Sequence, residues 1–334
     1  MSGCIYPLIF EPELRHYIWG GRNLADLFGR KLPPGRTAES WEISGHPSSP
    51  TRVAAGYWKG KTLPEVMRHL GTKLVGSHSQ DMLQRGRFPL LVKLLDAHDN
   101  LSVQVHPDDD YAREHENDLG KPELWCVLYA EPGAELIYGL KRGVDRRRFV
   151  EGLHNGSVQE LLHHLPVKEG DVVSVPTGTL HAIMSGIVVA EVQRNSDATY
   201  RVYDWDRVDD EGNPRELHVD DALNVIDWNQ VEPGKASPVI LRDEPGLKQS
   251  LMVSCPQFVL ESLDIEAGHS FAGTCDGSTF EIWGCISGEA EIRSAAEPVA
   301  LPAVRFALLP AALGDYTIVA KEKSRLMRIY VDGH

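Results

Sequence analysis

The stretch L-S-V-Q-V-H-P at Leu101–Pro107 alternates strictly. Side chains two apart share a face of an extended strand. Ser102, Gln104 and His106 therefore line one side, and Leu101, Val103 and Val105 the other. A polar row backed by an apolar row suits a strand lining a wet cavity. Pro107 has no N–H to give to a ladder and ends it. Further strands are expected at 6–10, 39–43, 88–95, 121–129, 135–138, 187–192 and 200–205, with Val173 and Val175 on one face of another. The E-P-G turn at Glu131–Gly133 is expected to pair 124–129 with 135–138. Helices are fewer. Thr62 with Glu65 three residues on forms a capping box ahead of Leu63, Val66, Met67 and Leu70 at helical spacing. Asp145 and Ser157 start two more, and 217–225 reads as another. Short strands separated by turns, with helices grouped as insertions, fit a β-sandwich or barrel. A proline-, glycine- and charge-rich linker is expected at 232–247, followed by a second β pattern through residue 330.

Composition narrows the class. The 334 residues are enough for two domains. A formal net charge of −14 disfavours nucleic acid or an anionic membrane as partner. No apolar run approaches the ~20 residues needed to span a bilayer, and the N-terminus lacks the basic start of a secretory signal. Five dispersed cysteines (Cys4, Cys126, Cys255, Cys275, Cys285) without a C-x-x-C read as reduced thiols, so a cytoplasmic location is expected.

Candidate chemistry gathers between Leu101 and Arg207. Gln104, His106, Glu123 and His181 are the right types for one divalent metal, with Lys121, Glu191 and Arg201 available for acid–base and anion chemistry. A histidine alone is more often a surface or satisfied core residue, and this chain has 14. His154, His163 and His164 fall in a polar, helical-looking stretch and read as solvated. His269 and His334 read as surface residues. Asp108–Asp110 lack the glycine and glutamate spacing of a calcium loop and read as a helix start. Lys93 interrupts an apolar strand, so it either snorkels to solvent or faces a polar cavity.

Longer segments carry a resemblance. They are Y-I-W-G-G at Tyr17–Gly21, E-S-W-E-I-S at Glu39–Ser44, F-P-L-L-V-K-L-L-D-A at Phe88–Ala97, Q-V-H-P, G-K-P-E, G-T-L-H-A and N-S-D-A-T-Y-R-V-Y-D-W-D-R at Asn195–Arg207. With these the chain resembles the type I phosphomannose isomerases, short bacterial form, of the cupin superfamily. The match fades after about Asp227. The resemblance implies a mainly β fold of two cupin-type jelly-roll barrels: a catalytic domain at 1–235 with helical insertions near 62–84 and 142–165, and a metal-free domain at 236–334. It implies one zinc or other divalent ion on Gln104, His106, Glu123 and His181, with Arg201 catalytic and Lys121 near the metal. Lys93, Ser102 and Arg207 fall where the family contacts phosphate, and Trp19 near the sugar. The implied reaction interconverts mannose 6-phosphate and fructose 6-phosphate through an enediol, with Lys121 or Glu191 as base. Two other readings stand beside it: another metal-dependent cupin enzyme (oxygenase or epimerase), or a non-catalytic sugar-binding cupin. The oxygenases and epimerases more often show G-x-H-x-H, whereas each motif here holds one histidine.

Overall fold

The computed structural model describes residues 5–208 and 212–333; Cys4 and His334 lie outside them. The protein is mainly β and falls into two compact units: Met1–Glu13, Trp41–Lys93 and Ala236–His334 in one, Leu14–Ser40 and Leu94–Lys235 in the other.

In the second of these units a five-stranded sheet runs in the order Tyr200–Tyr203, Val103–Val105, His181–Ile183, Glu135–Leu140, Leu162–Pro166, antiparallel throughout. Another sheet places Val172–Val175 beside Glu123–Ala130, then Ile187–Arg194. Alternation decides what each face does. Trp125 and Val127 point into a core shared with Val173, Val175, Val189, Leu136 and Ile183. Glu123 lies on the same face as Trp125, so it ends that apolar row with a charge. Val103, Val105, Ala182, Tyr200 and Val202 belong to a separate cluster with Phe149 and Leu223. Those two come from helices Arg146–Asn155 and Val219–Val225, which cover the outer face of the five-stranded sheet; its inner face carries Gln104, His106 and His181 beside the apolar Leu136, Tyr138 and Ile183.

In the other unit, six strands run Val239–Glu244, Leu247–Cys255, Phe258–Ile265, Ser324–Tyr330, Glu281–Ser287, Arg305–Leu309. A four-stranded sheet, Ser270–Cys275, Gly314–Ala320, Glu289–Arg293, Val299–Pro302, shares its core. An ion network sits within it. Glu281 accepts from Arg328 Nη2 at 2.6 Å and Nε at 2.9 Å, from Trp283 Nε1 at 2.9 Å and from the Tyr316 hydroxyl. Glu261 accepts from Gln249, Arg328 and Tyr330. Each buried carboxylate is paired and hydrogen-bonded, the condition for tolerating such charge.

The Thr62 capping box forms, over Leu63–Leu70. Asp108 and Asp145 cap their helices through side-chain oxygens. Several expectations are corrected. The segments 124–129 and 135–138 do not pair: Glu123–Ala130 joins Val172–Val175 and Ile187–Arg194, while Glu135–Leu140 joins His181–Ile183 and Leu162–Pro166. The E-P-G turn thus passes the chain from one sheet to another. His163 and His164 lie on the strand Leu162–Pro166, with His164 Nδ1 2.7 Å from Glu135. Ser157 bonds Asn155 and caps nothing. The 232–247 stretch contains the strand Val239–Glu244, an exposed edge that the charge of R-D-E obscures. No helix among the described residues is long and apolar enough to cross a membrane.

Candidate metal centre

Strand register assembles the site. Gln104 pairs with His181 on one side and with Arg201 on the other, so Arg201, Gln104 and His181 form a row across three strands. Directly opposed residues share a face. His106, two residues beyond Gln104, joins that face. Glu123 begins its own strand, opposite Val175 and Gln193. Lys121 lies two residues earlier, ahead of the strand expected to contain it.

One ligand atom each from His106, Glu123 and His181 lies within 4.8 Å of the others, and all three side chains are buried. His106 Nδ1–H donates to the Ala198 carbonyl at 2.9 Å, and His181 Nδ1–H to that of Thr179 at 2.8 Å. Each imidazole thereby keeps its proton on Nδ1 and turns the Nε2 lone pair inward. His106 Nε2 is 3.3 Å from Glu123 Oε2, and His181 Nε2 3.4 Å from Oε1. His106 Nε2 and both Glu123 oxygens make no hydrogen bond. Three buried acceptors converging without a donor is costly unless a cation sits among them. Gln104 Nε2 is 3.4 Å from His181 Nε2; turning the amide by 180° presents Oε1 there instead. Two imidazoles, a carboxylate and an amide oxygen suit a zinc-class ion with positions left for water or substrate.

Burial lowers both imidazoles, His106 to about 3, with the Lys121 ammonium adding to the effect. Burial alone would raise Glu123; the charges of His106 and Lys121 outweigh it and hold the carboxyl below its usual range. A neutral imidazole cannot also be the cation that does this, so the state supported is neutral histidines beside an ionised Glu123. Lys121 Nζ stands 3.8 Å from Glu123 Oε2 and 3.4 Å from Thr199 Oγ1.

The other sequence candidates divide. Arg201 donates from Nε to Ser102 Oγ at 3.2 Å and from Nη1 to the Glu216 carbonyl at 2.8 Å, so Arg201 and Ser102 are brought together. Glu191 is buried and accepts from Trp125 Nε1 at 2.9 Å. Arg207 holds Asp204 Oδ1 at 2.6 Å and the Asn100 carbonyl, on the segment leading into Ser102. Trp19 is buried in the apolar core. Lys93, in the other unit, is buried with its ammonium 5.3 Å from the centre of the Trp41 ring. Asp204 and Arg215 were not singled out from sequence, although Arg215 bonds Asp204 through two nitrogens. The orienting carbonyls of Ala198 and Thr179 could not be, since every residue type carries one.

The catalytic-domain profile of phosphomannose isomerase type I matches residues 8–127. The mannose-6-phosphate isomerase of Streptococcus mutans is 37% identical over 324 residues, 95% of this chain and 98% of that protein. The chain belongs to the type I phosphomannose isomerase family. The crystal structure of the mannose 6-phosphate isomerase of Bacillus subtilis superposes with a TM-score of 0.86 at 36% identity, over 97% of this chain and 99% of that one. A mannose 6-phosphate isomerase solved with bound zinc and yttrium superposes at 0.75 over 98% and 99%; at 17% identity it speaks to fold alone.

Proposed function

We infer that this isomerase interconverts mannose 6-phosphate and fructose 6-phosphate, using one divalent ion held by His106, Glu123, His181 and Gln104. The observation carrying it is the pair of imidazoles locked by carbonyls with their free nitrogens on one buried carboxylate. It disfavours a non-catalytic cupin, in which no such convergence of acceptors is needed. We take the ion to be zinc, as in the family; when bound, it polarises the sugar carbonyl as a Lewis acid.

The reaction moves a proton between C2 and C1, so the chain must bind the sugar, stabilise negative oxygen and carry the proton. Arg201, in the same row as two metal-site residues, stabilises the enediolate; its guanidinium stays charged and is fixed by Ser102 and Glu216. Lys121 is the favoured proton carrier. Glu191, the alternative, already accepts from Trp125 inside the core. Lys121→Ala abolishing turnover while Glu191→Gln retains it supports that choice, and the reverse result excludes it. Ser102, Arg207 and Lys93 are assigned to the phosphate and Trp19 to the sugar, all four on family resemblance.

Each pair of packed antiparallel sheets is read as a cupin-type jelly roll. Residues 1–235 carry the chemistry, and 236–334 form a metal-free β domain whose interior is occupied by the Glu281–Arg328–Glu261 network. Four free cysteines among the described residues accord with a reducing cytoplasm. A coupled assay of mannose 6-phosphate conversion, before and after chelation and zinc restoration, tests the reading. Activity lost and recovered supports it; no activity in zinc-loaded protein ends it.

A further inference from the structure

Asp204 is a buried carboxylate with two arginines on it. Arg215 donates from Nε to Oδ2 at 2.7 Å and from Nη2 to Oδ1 at 2.5 Å; Arg207 donates from Nη2 to Oδ1 at 2.6 Å. Burial alone would raise this carboxyl, but the two guanidiniums outweigh it and hold it ionised below its usual range. The chain is bent sharply to build the clamp. Trp205 and Asp206 both take left-handed backbone conformations, with φ of 61° and 52°. Side chains other than glycine avoid that region, at roughly 1–2 kcal/mol each. Trp205 Nε1, donating to the Leu101 carbonyl at 2.7 Å, helps hold the turn against Ser102's segment.

Val208 and Pro214 form an antiparallel bridge, and Arg215 follows directly. The very next residue, Glu216, accepts from Arg201 Nη1 through its carbonyl. Among the described residues, Arg207 and Arg215 thus share one carboxylate, and Arg201 reaches the residue that follows Arg215. The Glu216 carboxylate is exposed and screened. Among the described residues, Arg215 spends two of its three nitrogens on Asp204 and keeps Nη1. A cluster of like charges, assembled at the cost of two strained residues, is matched by a dianion.

We propose that Arg215 is a phosphate-contacting, specificity-determining residue of the substrate site, and that Asp204 is the positioning residue that presents Arg207 and Arg215 together. Guanidinium is suited to this role, since its planar fork meets phosphate oxygens in pairs. The inference deepens the isomerase reading and rests on it for the identity of the substrate, though not for the anion site itself.

The test uses zinc-loaded full-length protein and the variants Arg215→Gln, Arg215→Lys and Asp204→Asn. Steady-state kinetics on mannose 6-phosphate and calorimetric titration with inorganic phosphate are run together. Loss of one charge-assisted phosphate contact raises KM about 10- to 100-fold in Arg215→Gln. The phosphate Kd rises in parallel and kcat falls less than about threefold. Arg215→Lys recovers part of the loss by restoring charge without the fork. Asp204→Asn, which leaves every cation in place, weakens phosphate binding less than Arg215→Gln does. A merely structural ion pair lowers Tm and leaves phosphate Kd unchanged, and that result overturns the proposal. Failure of the wild type to convert mannose 6-phosphate overturns the isomerase reading, while the phosphate titration still decides the role of Arg215.

Discussion

Replacing Lys121 with methionine separates the electrostatics of the metal site from its chemistry. Methionine keeps most of the buried stem and removes the charge. In the metal-free protein the lysine is the cation facing Glu123, at 3.8 Å, with 9% and 1% of the two side chains exposed. At an effective dielectric near 20, that separation corresponds to about 4 kcal/mol of gross attraction. Desolvation of the lysine cancels part of it, so the net loss of stability on Lys121→Met is expected at about 1–3 kcal/mol in the metal-free state. With a divalent ion bound, Glu123 has another cation and the lysine becomes a repelled neighbour. The loss should then shrink or vanish. Linkage requires the difference to appear as tighter metal binding, on the order of tenfold. The variant should therefore hold zinc more tightly while losing turnover. Chelator-competition titrations on wild type and variant, with denaturant melts of both forms, measure this. Zinc binding weakened or unchanged by Lys121→Met refutes the placement of the ion beside Glu123.

Other consequences follow from the same geometry. His106 and His181 have folded pKa values below that of a free imidazole, so the unfolded chain takes up more protons below about pH 6.5. The unfolding free energy of the metal-free protein, read from urea melts, should fall as pH drops through that window, by up to about 1.4 kcal/mol per pH unit per histidine, and His106→Gln should flatten the dependence. Gly20→Ala should destabilise by about 2 kcal/mol or more in urea melts, because a Cβ there meets the backbone of Ala38 at 2.6 Å. Glu281→Gln should cost about 3 kcal/mol by leaving Arg328 short of its main partner, yet leave kcat near wild type well below Tm.

The sequence was most legible where one residue type enforces one geometry. Strict alternation in 101–106 placed Gln104 and His106 on the polar face, and T-L-P-E placed a helix start to the residue. Pairing was less legible. The E-P-G turn looks like a hairpin because turn residues report a reversal, not the sheet in which the next strand lands. The strand Ser270–Cys275 carries little signal of its own, because S-F-A-G-T-C has few β-branched residues. Arg215 escaped notice for a related reason: its importance comes from Asp204, eleven positions earlier across a strained turn, and no periodicity links them.

The most direct measurement is elemental analysis of the purified protein alongside its turnover of mannose 6-phosphate, for wild type, His106→Ala and His181→Ala. The account predicts one divalent ion per chain in the wild type, its loss in both variants, and loss of turnover in the same proportion. Full turnover by protein shown to be metal-free, or by either variant, would contradict it.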